Sequence, residues 1–217
     1  MWWPFRRRLT GSDATLAIEV IRHLQTQMAL QQLAMETYNT ALTMAGSEVD
    51  KGDEMFVRGT GIVSDPHLGA QYLLPALEKK VDIAEVMQRE HRAFQVADRP
   101  KKARQAYERW TDLLAVFLAR ARLQLTCWND WVDNPSRDVS KRSTALDQAE
   151  SESMNVAIRE LNELIEQAGL SGEPWFSINC AAFNDARNRI GLPPLTETDF
   201  RAKFLQGLTG GRPRFFE

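Results

Sequence analysis

The sequence lacks the features that mark most secreted, membrane-spanning and disulfide-linked proteins. It has two cysteines and three histidines in 217 residues, and no apolar run approaches the roughly 18 residues of a membrane span. No apolar stretch of about 7 to 15 residues follows the basic cluster at the N-terminus, so we expect no signal peptide. Cys127 and Cys180 lie in apolar helical patterns, which favours buried thiols over a disulfide framework. We therefore expect a cytoplasmic protein.

Motifs of common catalytic chemistry are also missing. The sequence contains no H-E-x-x-H, C-x-x-C, G-x-S-x-G or phosphate-binding glycine loop. A di-metal centre in a bundle needs Glu-x-x-His pairs on two helices, and the histidines do not supply them. Glu19 and His23 are four residues apart, as in a surface ion pair, and only His67 is expected to be accessible and free of helical constraint. We infer no metal, cofactor or small-molecule substrate and no enzyme, with a site at His67 in the 47–68 loop as the enzymatic alternative.

Net charge does not identify a partner, but its distribution is uneven. The formal charge of −2 is typical of neither a general nucleic-acid binder nor an acidic tail. Residues 1–11 carry three arginines and no acid, whereas residues 143–173 carry seven acids and one arginine. Such segregation favours a partner that is met by one charged region of the chain.

The strongest positive signal is a long apolar seam at residues 100–132. Its members alternate steps of four and three residues, the spacing that keeps one face of a helix toward a neighbour. They are Ala103, Tyr107, Trp110, Leu114, Phe117, Ala121, Gln124, Trp128 and Trp131. A second line widens this surface, at Leu113, Val116, Leu123 and Cys127. The pattern predicts the central helix of a bundle, with neighbours on two sides.

Similar spacing predicts three further long helices and an all-α, four-helix-like bundle. The long helices are expected at 13–45, 75–97, 100–133 and 143–168, with Gly46 and Gly169 as stops and two short C-terminal helices capped by Ser177 and Thr196. Gln31 interrupts the first seam, and we expect it to face a bundle end or water. The 47–68 loop is compatible with a small hairpin turning at its glycines. The predicted organisation is an arm at 1–11, a single helical domain at 12–208 and a tail at 209–217.

The arm combines aromatic and basic residues around a proline. Its candidate docking residues for a protein partner or a membrane are Trp2, Trp3, Phe5, Arg6, Arg7 and Arg8. Over seven residues it resembles the Trp-Pro-Arg-rich pattern of some membrane-active peptides. Three environments suit it: the end of its own bundle, a groove on a partner, and a membrane headgroup layer at the inner face of a membrane.

Two basic clusters are candidate phosphate contacts. They comprise Arg99, Lys101, Lys102 and Arg104 before and at the start of the central helix, and Arg137, Lys141 and Arg142 after it. A helix of this length separates the clusters by about 50 Å, which disfavours one compact nucleic-acid site and leaves an extended groove.

These observations together favour a non-enzymatic interaction or scaffold protein. We expect it to act as a homo-oligomer or as a subunit of a larger assembly, and to self-associate if the helix seams are not satisfied within one chain. The acidic residues predicted on the outer face of the fourth helix can pair with the arm of a neighbouring subunit: Glu150, Glu152, Glu160, Glu163 and Glu166. The alternatives are a nucleic-acid-binding helical subunit and a peripheral membrane adaptor.

Overall fold

The computed structural model describes residues 8–48, 66–134, 144–170 and 179–208, and they form an all-α fold. The helices are α1 (Ser12–Glu48), α2 (Leu74–Ala93), α3 (Lys101–Asp133), α4 (Thr144–Gln167), α5 (Cys180–Arg189) and α6 (Glu197–Leu208). A helical turn, Pro66–Leu68, and a π-helical segment, Gly69–Leu73, lead into α2. No strand occurs within these ranges. The predicted fold class is confirmed.

Several predicted boundaries need correction. The first helix does not stop at Gly46 but continues to Glu48, because one glycine in a helix costs only about 1 kcal/mol. Asn179, not Ser177, caps α5: its side chain accepts a hydrogen bond from the backbone N–H of Ala182. Both ends of the predicted 47–68 loop are helical, at 47–48 and 66–68, and the predicted hairpin falls within residues 49–65, which lie outside the described residues.

Two helix-terminal predictions are confirmed. Thr196 Oγ1 accepts a hydrogen bond from the N–H of Asp199 at 3.1 Å and caps α6. Gly169 ends α4 with a φ of +72°, a conformation that residues with a Cβ rarely adopt. Local side-chain and backbone chemistry therefore fixes these two ends.

The four long helices alternate in direction. The start of α1 meets the end of α2 at His23 and His91, and the start of α3 meets the end of α4 at Lys102 and Glu160. Residue Gln167 at the end of α4 lies beside the chain entering α1. This up-down-up-down order gives the bundle two ends, and we call the end containing the start of α1 the arm end.

Two apolar clusters fill the bundle and take up most of the seam residues of α1 and α3. The main core extends from the arm end and includes Leu24, Leu33, Trp110, Phe117 and Leu164. A smaller loop-end core lies at the opposite end, with members Ala41, Ala45, Leu73, Ala76, Leu77, Trp128 and Trp131. There, a Cβ on Gly69 would lie 3.0 Å from the ring of Trp131, so the glycine permits the close packing of that ring.

The two short helices complete the arm end. Helix α5 packs along α1, where Thr26 Oγ1 donates a hydrogen bond to Asp185 Oδ2 at 3.0 Å. The rings of Phe183 in α5 and Phe200 in α6 join the main core and lie 5.5 Å apart. These contacts attach α5 and α6 to the main core.

Candidate functional site

The chain just before α1 is anchored to the arm end of the bundle. The N–H of Leu9 donates a hydrogen bond to the carbonyl of Gln167 at 2.7 Å, and the half-buried Leu9 side chain packs against the main core. Arg8, the preceding residue, is exposed. The other candidate arm residues, Trp2, Trp3, Phe5, Arg6 and Arg7, lie outside the described residues.

An open cleft of about 800 Å³ lies beside this anchor, and we call it the arm-end cleft. Its lining comes from three parts of the chain: Arg8, Leu9, Thr10, Asp13, Pro100, Lys101, Lys102, Gln105 and Gln167. Helix α3 begins here behind Pro100, without a side-chain cap. The first N–H groups of a helix have no partner within the helix, so this start adds donors and a partial positive charge to the cleft wall.

The predicted phosphate contacts have different environments. Arg99 forms an ion pair with Glu19 at 2.6 Å, and its guanidinium lies 5.7 Å from the ring centre of Phe94. Lys101 and Arg104 are exposed, and Lys101 lines the cleft together with the half-buried Lys102. Arg137, Lys141 and Arg142 lie outside the described residues. The structure therefore brings Lys101 and Lys102 together with Arg8, a grouping that the sequence alone did not suggest.

The predicted acidic face of α4 is largely matched within the chain. Lys102 Nζ lies 2.5 Å from Glu160 and 2.7 Å from Glu163. Burial lowers the pKa of Lys102, but its hydrogen bonds to the two carboxylates outweigh this effect and raise it. Glu150 is buried and accepts a hydrogen bond from Arg120 at 2.9 Å. Only Glu152 and Glu166 of the predicted five are exposed, so the outer acidic face was wrong for the other three.

A buried lysine lies where α1, α2 and α3 meet. Lys80 is fully buried, and its Nζ donates a hydrogen bond to Gln124 Oε1 at 2.8 Å. The same nitrogen lies 5.5 Å from the ring centres of both Tyr38 and Phe117. Burial is the main cause that lowers the pKa of Lys80 to about 8, and the positive charge of Arg120 acts in the same direction. Lys80 and these neighbours form a polar centre that is enclosed within the bundle.

A second polar centre joins two histidines that are 68 residues apart in sequence. His23 Nε2 in α1 and His91 Nδ1 in α2 are 3.0 Å apart, and both side chains are buried. The ring of His23 stacks on Phe94 at 4.2 Å, and that of His91 stacks on Tyr107 at 3.8 Å. His91 Nε2 lies 2.9 Å from Thr111 Oγ1. Two stacked ring pairs thus lie side by side at the arm end.

Both imidazoles favour the neutral state. Burial is the largest cause that lowers the pKa of His23 to about 3, followed by the charge interactions with His91 and Arg189. Burial also lowers the pKa of His91 to about 4, although its backbone hydrogen bond at Tyr107 acts in the opposite direction. The sequence interpretation of Glu19 and His23 as a surface pair was wrong, because each side chain has another partner.

Two further predictions about polar residues need correction. Gln31 does not face water but is buried, because α1 is covered by α2 on one side and α5 on another. His67 is exposed as expected, yet it belongs to the helical turn Pro66–Leu68. The enzymatic alternative built on the 47–68 loop depends on residues of which most lie outside the described ranges, so it stays a hypothesis.

A second cleft, of about 540 Å³, lies between α1, α5 and the start of α6. Its wall includes Cys180, which is half-buried, whereas Cys127 is buried. Burial is the first cause that raises the pKa of the Cys180 thiol, and a hydrogen bond with Glu197 acts in the same direction. A raised pKa disfavours the thiolate, so Cys180 is not activated as a nucleophile.

The described residues contain neither a metal-ligand cluster nor a membrane-spanning helix. No three His, Cys, Asp or Glu side chains lie close enough to hold a metal ion. None of the described helices has the length and apolar content required to cross a membrane.

In both polar centres, the residue from α2 had a signal of burial in the sequence, but the sequence did not identify its partners. His91 continues the apolar stripe of its helix, a position that indicates burial. Lys80 lies on the same stripe, three residues after Leu77 and four before Ala84, but nothing in its own helix reveals Gln124 or the two rings as its neighbours.

Comparisons with protein-family models, curated proteins and solved structures find no match for this chain.

Proposed function

We propose that this chain is a non-enzymatic interaction protein, a subunit of a larger assembly, that binds an acidic segment of its partner at the arm end of the bundle. The observation that carries the proposal is the arm-end cleft, where Arg8 and Lys101 are exposed beside the uncapped start of α3. Carboxylates of a partner can pair with both side chains and with the helix N–H groups.

The attachment point of the arm supports the same surface. Leu9 fixes the chain at the cleft, so the aromatic residues of the arm begin within a few residues of the basic side chains. Charges at such a rim mainly steer association and set orientation, whereas buried aromatic side chains supply most of the binding energy. We therefore assign steering to Arg8 and Lys101, and anchoring to Trp2, Trp3 and Phe5.

Binding to another protein is favoured over self-association through the helix seams. The seams of α1 and α3 are buried or half-buried within one chain, and Met44 is the only large hydrophobic side chain exposed in the described residues. The glutamates that were expected to receive a neighbour's arm are partly engaged by Lys102 and Arg120. A homo-oligomer would consequently have to use the arm and not the seams.

Charge reversal in the arm-end cleft tests the proposal. The probe is a fluorescein-labelled hexaglutamate peptide, and binding is followed by fluorescence anisotropy at low and high salt. We expect Arg8→Glu with Lys101→Glu to weaken binding by about tenfold, since two rim charges change sign. Arg109→Glu is the matched control on an exposed part of α3 and should have little effect. Equal losses in both variants, or no binding by the natural chain, would contradict the proposal.

Two further binding probes distinguish the alternative partners. Strong binding of a thymidine 20-mer with a steep salt dependence would favour the nucleic-acid subunit over the acidic segment. Flotation with phosphatidylserine vesicles, but not with phosphatidylcholine vesicles, would favour the membrane adaptor.

Removal of residues 1–7 tests the arm without disturbing its anchor. Because Leu9 remains bonded to Gln167, we expect the shortened chain to keep its melting temperature but to lose co-purification of its assembly from the native host. Removal of residues 1–9 is the comparison, and should also lower the melting temperature because Leu9 packs on the main core. Normal assembly without residues 1–7 would rule out the arm as the anchor.

A further inference from the structure

We propose that the His23–His91 pair is a pH-sensitive latch, which holds α1, α2 and α3 together at the arm end and loosens this end when the pH becomes acidic. This inference is independent of the proposed docking function. It starts from the direct contact between two buried imidazoles on different helices.

The hydrogen bonds around the pair define one consistent arrangement of protons. His91 Nε2 lies 3.3 Å from the carbonyl oxygen of Tyr107, which can only accept, so this nitrogen carries the proton. The Thr111 hydroxyl donates to the same carbonyl at 3.1 Å, and its oxygen accepts from His91 Nε2–H. His91 Nδ1 then carries a lone pair and accepts from His23 Nε2–H. Each helix is thereby linked to the next through neutral imidazoles.

Protonation breaks this arrangement. A proton added to His91 Nδ1 would place two N–H donors against each other across 3.0 Å. A proton added to the free nitrogen of His23 would keep that bond but leave a charge in a buried stack of rings. The two positive charges would also repel one another. Protonation of either histidine therefore favours separation of α1 from α2.

The surrounding charged groups are paired among themselves. In α1, Glu19 pairs with Arg99 of the α2–α3 connection. In α2 and α5, Glu90 and Asp185 both bind Arg189, whose charge opposes protonation of His23. From α3, the polar groups that face the pair are the Tyr107 phenol and the Thr111 hydroxyl, both uncharged at neutral pH.

The sign of the pH effect follows from these contacts. Burial lowers the pKa of His23 to about 3 and that of His91 to about 4, below the value of about 6.5 expected for an unfolded chain. The unfolded or opened state therefore binds more protons as the pH falls below about 6.5. The contribution of the pair is complete above this pH and is lost progressively as the pH approaches the folded pKa values.

Stability measured against pH tests the latch. We expect the unfolding constant to rise by up to about tenfold per pH unit for each histidine between roughly pH 6 and 5. In the His23→Gln, His91→Gln double variant this dependence should disappear, because glutamine can hydrogen-bond but does not titrate in this range. His67→Gln is the matched control, an exposed histidine whose replacement should leave the dependence unchanged. A double variant that keeps the dependence would overturn the proposal.

Hydrogen exchange distinguishes a local latch from general acid unfolding. After correction for intrinsic rates, amides of α1 around residues 17–27 should exchange faster at pH 5 than at pH 7. Those of the loop-end core around residues 125–131 should change much less, because that core is at the opposite end. Equal acceleration at both ends would refute the latch.

If the variants do not fold, NMR of the natural protein still decides the question. The imidazole C–H signals of His23 and His91 should stay at their neutral positions from pH 7.5 to 5.5. A titration of either signal with a midpoint of 6 or higher would overturn the proposal, since a latch must hold neutral rings.

Discussion

Helices α1 and α3 follow the same spacing but bury different chemistry. Every residue that α3 buries is apolar, including Trp110, Phe117, Trp128 and Trp131. The buried face of α1 also contains polar residues, namely His23, Gln25, Thr26, Gln27 and Gln31. Apolar burial contributes roughly 25 cal/mol per Å², whereas a buried amide contributes little unless it is well hydrogen-bonded. We infer that the buried face of α3 contributes more to stability than that of α1, and that α1 is displaced more easily than α3.

Truncation of the aromatic face should have the largest effect. Phe117 is fully buried in the main core, so Phe117→Ala should lower the free energy of unfolding by about 3 to 5 kcal/mol. On α1, Gln31→Ala should cost clearly less, because Gln31 Oε1 has no hydrogen-bond partner among the described residues. Urea unfolding of both variants measures the difference. Similar losses of unfolding free energy in the two variants would show that the buried faces of α1 and α3 contribute equally to stability.

Replacement of Lys80, whose side chain lies where α1, α2 and α3 meet, should have an intermediate effect on stability. Lys80→Met should raise the free energy of unfolding at pH 7 by about 2 kcal/mol, because it removes a desolvated charge and keeps the apolar stem. The folded pKa of about 8 lies below the unfolded value of about 10.4, so the unfolded state binds more protons between them. Stability of the natural protein should therefore rise from pH 8 to 9.5, and this rise should be absent in the variant.

A second lysine in α2 provides a control for the stability measurement between pH 8 and 9.5. Lys79→Met changes an exposed lysine in the same helix and should keep the rise between pH 8 and 9.5. A natural protein whose stability is flat or falling over this interval would contradict the low pKa of Lys80.

The helices could be predicted from sequence because their signals are local. The apolar spacing of Trp110, Phe117 and Trp131 on α3, the Thr196 cap and the Gly169 stop each act within a few residues. The fold class follows from such signals, since four long amphipathic helices have few ways to bury their seams.

The polar centres could not be predicted because their partners are distant in sequence. His23 and His91 are brought together only by the antiparallel packing of α1 and α2. Glu160 resembles a solvent-facing residue within its own helix, and becomes an internal partner only when Lys102 of α3 lies beside it. A helical stripe indicates which residues face a neighbour, but not which side chain the neighbour presents.

The smallest expected effect concerns one amide on the polar face of α1. Gln27 is fully buried, and neither its Nε2 nor its Oε1 has a hydrogen-bond partner within the described residues. Methionine has a similar shape and helix propensity but no amide to desolvate. Gln27→Met should therefore raise the free energy of unfolding by about 1 kcal/mol, or the melting temperature by roughly 2 to 4 °C for a chain of this size.

A neighbouring glutamine provides the matched control for that change. Gln32 is half-buried, and its Nε2 donates a hydrogen bond to Glu36 Oε1 at 3.0 Å. Gln32→Met loses this bond and should be neutral or slightly destabilising, as for a typical intramolecular hydrogen bond of about 1 kcal/mol. If Gln27→Met instead destabilises the protein more than Gln32→Met does, the Gln27 amide has a partner in solution. The buried amides of α1 would then contribute to stability. The buried faces of α1 and α3 would differ in their contribution only through the size of their apolar side chains.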